Sequence, residues 1–442
     1  MSLLEHPKAL ALLEDAELSA AAVRGCERRL ERFLERYLPL FYRVEQHELA
    51  EVVLQGKLSH LQRKTSEPIA HQAQRHRKPV QHFVGAGAWD DEAVMAEVRR
   101  HVAQMRGHDD GVAVVDGSGF AKKGTESCGV ARQWCGRLGK VENCQVGVFL
   151  AYVTEQGAVP LDRRLYLPNE EWAQDEERRT KCHVPEHVEF KESWRIALDL
   201  LDRSRKDLPF AWVAGDDEYG RPSEFRAGLR FRHLHYVVDI PSNIVVRPLA
   251  SKTWTNVAEL AKKQPSSSWR KIALGPGSKG PKVVRALRLK VQTRDDEGRP
   301  GTVEELVVIR TVDGESQTWY TLARGPEDTS LEKFVTVHAR RHGVEEMLER
   351  SKSEVGLAHY EVRSWIGWHH HMTLSLLALW FVILETDRVG GKNPGHHAAA
   401  DAGIVRSLAP PPTSDLPADR RGDQRGPKAE RRVAHLRLVC AT

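Results

Sequence analysis

The chain has 442 residues, 40% hydrophobic, 29% charged and 7% aromatic. That composition excludes collagen, a continuous coiled coil and disorder throughout, and roughly 150 residues per domain suggests two or three domains. Lys and Arg number 66 against 61 Asp and Glu, a formal net charge of +5, so any nucleic-acid contact is expected to be local rather than driven by a global field.

The N-terminus, MSLLEHPKALALLEDAELS, carries acids within its apolar stretch and lacks a basic start. No secretory signal and a cytoplasmic location are therefore predicted. Residues 1–105 place apolar positions at three- and four-residue spacing among strong helix formers, which predicts an all-α N-terminal domain. Within it, Arg63, Lys64, Arg75, Arg77 and Lys78 face a single acid, Glu67. This is the densest local basic patch; a solvated helix face is the plainer alternative.

From residue 106 to 240 the texture changes to short β-branched runs, VAVVD, VGVFLAYV, AWVAGD and HYVVDI, with the helical stretch ESWRIALDLLDRSRK between them. This α/β pattern predicts a sheet core, and strands ending in Asp put carboxylates at its rim. Residues 241–317, with Ser, Gly and Lys clusters around ALRLKVQT and EELVVIRTV, predict a β-rich insertion. Residues 318–386 return to helix; the apolar run Met372 to Leu384 is too short to span a bilayer and predicts a buried helix. Residues 387–442, rich in Pro, Gly and Arg, predict a disordered tail.

The six cysteines contain no CxxC pair and their spacings match no common zinc pattern, so reduced thiols are expected. His369, His370 and His371 point about 100° apart on a helix and are unsuited to a common ion. Trp365 and Trp368 are expected in the core.

The chemistry is expected at Asp116 and Asp216, each after an apolar strand, and at Glu345 in the helical segment HARRHGVEEMLERSKSEVGL. Seven residues make nearly two helical turns, so His338, Glu345 and Lys352 would share one face, with Arg341 one turn from Glu345. Three carboxylates from distant parts of the chain suit a pair of Mg²⁺ ions, which prefer oxygen ligands and serve in-line phosphoryl displacement.

In this order the residues resemble the bacterial insertion-sequence transposases with a retroviral-integrase-like DDE domain. VDGSGFAKKGTESCGVARQ supplies Asp116, GDDEYG supplies Asp216 three residues before Tyr219, and the helix supplies Arg341, Glu345 and Lys352 at the family's intervals, with His338 where the family has Tyr. The segment EVGLAHYEVRSWIGWHHHMTL looks closest to the seven-oh-one group of insertion sequences. The register selects Asp216 over Asp217 and Glu218, and Glu345 over Glu346 and Glu361.

The resemblance implies an RNase H-like core interrupted by the insertion. It also implies a Mg²⁺-dependent (or Mn²⁺-dependent) cut-and-paste reaction at terminal inverted repeats, a hairpin step, and a homodimer or higher assembly on paired DNA ends. Phosphate contacts are expected from Arg341, Lys352, Lys122 and Lys123, and from Arg75, Arg77 and Lys78. The alternatives are a catalytically silent DNA-binding relative that acts as a regulator, and a metal-dependent nuclease unrelated to transposition.

Overall fold

A computed structural model describes residues 25–277, 280–295, 297–312 and 317–389. Residues 1–24 of the expected N-terminal domain, and all but the first three residues of the expected tail, lie outside the described residues.

The helical layer begins with α1 (Cys26–Glu35), α2 (Val44–Leu58), α3 (Ser66–Gln72), α4 (Arg77–Ala86) and α5 (Asp91–Arg106). Helix α1 shows the rule that builds it: Cys26, Leu30, Phe33 and Leu34 form its buried stripe. Pro39, in a short 3₁₀ turn, separates α1 from α2. The Asp90 side chain starts α5 by accepting from the amides of Glu92 and Ala93.

The sheet follows: β1 (Val112–Ala121), β2 (Ala131–Cys135), β3 (Lys140–Thr154) and β4 (Gly157–Leu165), then α6 (Glu176–Lys181) and α7 (Ser193–Ser204). Next come β5 (Trp212–Gly215), α8 (Asp217–Gly220), α9 (Ser223–Phe231) and β6 (His235–Ile240). The remaining strands are β7 (Val245–Pro248), β8 (Thr255–Asn256), β9 (Arg270–Gly277), β10 (Gly280–Arg294), β11 (Pro300–Thr311) and β12 (Thr318–Arg324), with α10 (Val257–Lys262) after β8. Three helices finish the described chain: α11 (Leu331–Arg340), α12 (His342–Ser353) and α13 (Trp365–Val389).

All twelve strands belong to one mixed sheet, ordered β2-β3-β1-β5-β6-β12-β11-β10-β7-β8, with β4 also on β3 and β9 also on β10. β1 is antiparallel to β3 and parallel to β5, and β5 is parallel to β6. The strands from residues 241–317 therefore extend the same sheet, because β12 pairs antiparallel with β6. Alternation along β11 divides its side chains between two cores. Leu306 and Val308 join a small cluster with Val257 and Leu260 of α10, while Val307 and Ile309 join the main core.

The helices at 26–106 have no core of their own. Leu30 of α1, Leu54 of α2, Phe83 of α4 and Val98 of α5 belong to the same apolar cluster as the β1 valines and α13. Among the described residues α13 is the one helix long and apolar enough to cross a membrane, yet 94% of that stretch is buried inside the fold. It is longer than the run Met372 to Leu384 because polar neighbours are buried with it. The ring nitrogens of His369, His370 and His371 lie 2.9, 3.1 and 3.1 Å from the carbonyls of Trp365, Trp89 and Leu357. Burial pushes all three imidazoles down, His369 to about 3, so they pack as neutral core groups.

One buried ion cluster joins these layers. Asp162 of β4, with no exposed surface, accepts from Arg99 of α5 at 3.0 Å and from Arg203 of α7 at 2.7 Å, with the Arg163 guanidinium 3.4 Å away. Arg163 in turn donates to Thr373 of α13 at 2.6 Å. Burial alone would raise the Asp162 carboxyl, but the guanidiniums of Arg203, Arg99 and Arg163 hold it below the usual carboxylate range. Asp162→Asn should leave Arg99, Arg163 and Arg203 with only the less buried Asp91, Glu92 and Asp207 as partners and lower stability by about 3–5 kcal/mol in urea denaturation. A loss under about 1 kcal/mol would mean that these outer acids suffice to balance the arginines.

Candidate active site

β1 and β5 pair in parallel register, from Val112 opposite Trp212 to Val115 opposite Gly215. The next residues, Asp116 and Asp216, therefore emerge at neighbouring positions. Asp116 was expected at a strand end, but it lies inside the ten-residue β1; it is the four-residue β5 that stops there, while β1 continues along β3. Asp116 Oδ1 accepts from the Gly117 amide at 2.8 Å, and Asp216 Oδ1 caps α8 by accepting from the Glu218 amide at 3.1 Å.

The expected single helix through His338, Glu345 and Lys352 is two helices that meet at Arg341, where the Arg341 amide closes a tight turn on the His338 carbonyl at 3.0 Å. Glu345 lies in the first turn of α12. Gly343 lets α12 seat against β3, since a Cβ there would stand 2.9 Å from Val153 Cγ1. Gly220 does the same for α8, where a Cβ would fall 1.8 Å from the Asp239 carbonyl oxygen.

Arg341 bridges the parts. Its Nη1 donates to Glu345 Oε1 at 2.8 Å, and its Nε stands 3.1 Å from Asp239 Oδ2 on β6. His338 Nε2 stands 3.1 Å from Asp239 Oδ1. The Asp239 contacts are at ion-pair distance but without hydrogen-bond alignment. His342 Nδ1 lies 3.1 Å from Glu345 Oε2.

The electrostatics are unbalanced. Burial, with the charges of Asp216 and Glu345, pushes the Asp116 carboxyl up to about 8. Burial, with Glu218 and Asp217, pushes Asp216 up to about 7. The Arg341 guanidinium opposes both shifts without cancelling them. The hydrogen bond from His342, together with Arg341, holds Glu345 below the usual carboxylate range against the effect of burial. The buried Tyr219 hydroxyl has no hydrogen-bond partner among the described residues.

An all-oxygen donor set with surplus negative charge fits a hard divalent cation. Among the described residues, however, no group of three or more His, Cys, Asp or Glu side chains is placed to hold a metal ion. Asp116 and Asp216 are adjacent, whereas Glu345 is engaged by Arg341 and His342.

The remaining expected residues are dispersed. Lys352 Nζ lies 5.6 Å from the Phe120 ring, and Lys122 Nζ lies 3.4 Å over the Tyr360 ring, pushed down to about 8 by burial. Lys123 is exposed just beyond β1. Arg75 pairs with Glu48 at 3.2 Å and Arg77 with Glu67 at 2.7 Å on the surface of the helical layer, where Lys78 is also exposed. Cys128, Cys135, Cys144 and Cys182 are buried free thiols. Two site residues, Asp239 and His342, were not expected from the sequence. The signal for Asp239 was an acid inside the apolar strand run HYVVDI; that for His342 was its three-residue spacing to Glu345.

Residues 36–303, well over half of the chain, match the family model described as DDE superfamily endonuclease. The chain belongs to that family. The match includes Asp116 and Asp216 and ends before Glu345. The chain is also 26% identical over 351 residues, 76% of its length and 84% of the relative's, to a probable transposase for insertion sequence element IS701 of Microchaete diplosiphon.

In this DDE endonuclease both aspartates sit above the ordinary carboxyl value of 3.8. Such groups contribute stability that is fully present below about pH 4 and is lost as pH rises through about 7 to 8. In chelator, Asp116→Asn should therefore melt higher than the wild type at pH 8, with the advantage vanishing near pH 4. An advantage independent of pH would show that Asp116 carries no electrostatic strain.

Proposed function

We propose that this DDE endonuclease is a transposase that cuts at the terminal inverted repeats of an insertion sequence and joins the freed 3′-hydroxyl to target DNA by a cut-and-paste route. The observation that carries this reading is the emergence of Asp116 and Asp216 at neighbouring positions beyond the β1–β5 pairing, with Glu345 of α12 near enough for its charge to raise the Asp116 carboxyl. The strand order β4-β3-β1-β5-β6, with its antiparallel and parallel halves, supports an RNase H-like core. The IS701 relative supports transposition as the biological role.

Asp116 and Asp216, with Glu345 once it leaves Arg341 and His342, would hold Mg²⁺ or Mn²⁺. Bound there, the metal would supply Lewis-acid stabilisation of the phosphodiester under attack. The chain's own part is to present carboxylates at neighbouring positions, keep Arg341 as their counter-charge and exclude bulk water by burial. Arg75 and Arg77 are suited to DNA because their present partners form exposed surface pairs worth only about 0–1 kcal/mol, which phosphates can replace. The silent DNA-binding relative remains the second reading, because Glu345 engaged by Arg341 and His342 suits a resting site as well as an idle one.

Asp116→Ala, Asp216→Ala and Glu345→Ala should each lower cleavage of end DNA by at least about 100-fold while binding changes by less than about threefold. Binding without cleavage by the wild type in Mg²⁺ or Mn²⁺ would favour the silent relative. Mg²⁺ should raise the melting temperature of the wild type and not that of Asp116→Asn, and equal shifts in both would move the metal elsewhere.

Reversing charge at Arg75, Arg77 and Lys78 should weaken DNA binding and flatten its log–log salt dependence by about 0.9 for each phosphate no longer neutralised. Unchanged affinity and slope would make the cluster a solvated face.

A further inference from the structure

Away from the carboxylates, the helical layer holds a cavity of about 220 Å³ between α2, the turn after it, α4 and the segment at 359–362. Lys57, Lys64, Thr65, Ser66, His359 and His371 are among its lining residues. Lys57 is 1% exposed and Lys64 5%.

Neither ammonium takes part in an ion pair among the described residues. Lys57 Nζ donates to Ser375 Oγ at 2.8 Å, and Lys64 Nζ donates to the carbonyl oxygens of Lys57, at 2.6 Å, and Glu354. An ammonium has three donors, so each lysine keeps at least one unspent. Lys122, outside the lining, stands 3.4 Å over the ring of the cavity-lining Tyr360. The two acids at the rim, Glu67 and Glu361, are already engaged by Arg77 at 2.7 Å and Arg63 at 2.9 Å.

Buried charge without a paired counterion is costly; the nearest acid acting on Lys64, Glu354, touches it through its backbone carbonyl, while its carboxylate pairs with Arg350 at 3.0 Å. We propose that this cavity binds a phosphate-class oxyanion, held by Lys57 and Lys64 with the hydroxyls of Thr65 and Ser66, presented either by a DNA backbone or as free phosphate. The volume suits it: a water occupies about 30 Å³ of liquid, so a phosphate fits with room for bridging waters. Burial, reinforced by Lys64, pushes Lys57 down to about 7, and burial, against the attraction of Glu354, pushes Lys64 down to about 8; a bound anion would raise both. The DNA source rests on the function proposed above, whereas the anion chemistry of the cavity does not.

The test begins with wild-type protein melted across a titration of inorganic phosphate, with ionic strength held constant by sodium chloride. A rise of about 2 °C or more is expected at saturating phosphate, and it should be lost in Lys57→Met and in Lys64→Met. The wild-type titration needs neither variant to fold. A wild-type melting temperature that ignores phosphate, together with an unchanged salt slope for duplex DNA in both variants, overturns the proposal. So does a phosphate shift that survives undiminished in both.

The salt dependence of duplex DNA binding separates the sources. A slope lower by about 0.9 in Lys57→Met assigns the cavity to a backbone phosphate. An unchanged slope with a lost phosphate shift assigns it to free phosphate. A wild type that binds no duplex at all defeats the proposed function and leaves the phosphate result standing.

Discussion

The parallel pairing of β1 with β5 is the constraint on which the site depends. Four register positions, ending with Val115 opposite Gly215, bring residues one hundred positions apart in the chain to neighbouring places in the middle of the sheet, where β5 stops. Everything that follows is a response to two carboxyl groups held close together. Burial raises both, with the charges of Asp216 and Glu345 acting on Asp116 and those of Glu218 and Asp217 on Asp216; the Arg341 charge opposes both, and the chain turns at Arg341 so that its guanidinium reaches Glu345 and Asp239.

The protein treats buried acids in two opposite ways. Asp162 is surrounded by Arg99, Arg163 and Arg203, and its carboxyl stays charged in the centre of the fold. Asp116 and Asp216 have one guanidinium nearby for two carboxyls, and both are pushed above the ordinary carboxylate range. The first arrangement is self-sufficient and holds three layers together. The second leaves two carboxyls only partly balanced, the kind of arrangement that suits the metal site proposed above.

Much of this was legible in the sequence because it rests on local patterns. HYVVDI is β6 residue for residue, ESWRIALDLLDRSRK contains α7, and Asp116 and Asp216 follow apolar runs that become paired strands. What stayed hidden depends on distant partners. The break at Arg341 goes with the docking of Gly343 against β3 and of Arg341 beside Asp239 of β6; Gly343 is the one local sign of it in a run otherwise rich in helix formers. Asp239, an acid within the apolar run of β6, has no local signal of a role; Arg341 and His338 beside it come from a segment about one hundred residues on. The strands at 241–317 read as an insertion of their own, because only the β12–β6 pairing reveals that they lengthen the main sheet.

Helix α13 also has a consequence for the order in which the molecule assembles. Its bonds to the first helices close very large loops: Lys57 to Ser375 spans 318 residues and Arg29 to Glu385 spans 356. The β3–β4 and β10–β11 hairpins close over a few residues and need nothing that has yet to be made. At roughly 5–20 residues per second, α1 to α5 leave the ribosome tens of seconds before α13 exists. Their apolar stripes must wait, exposed or shielded by chaperones, so the part of the chain synthesised first is among the last to reach its final packing.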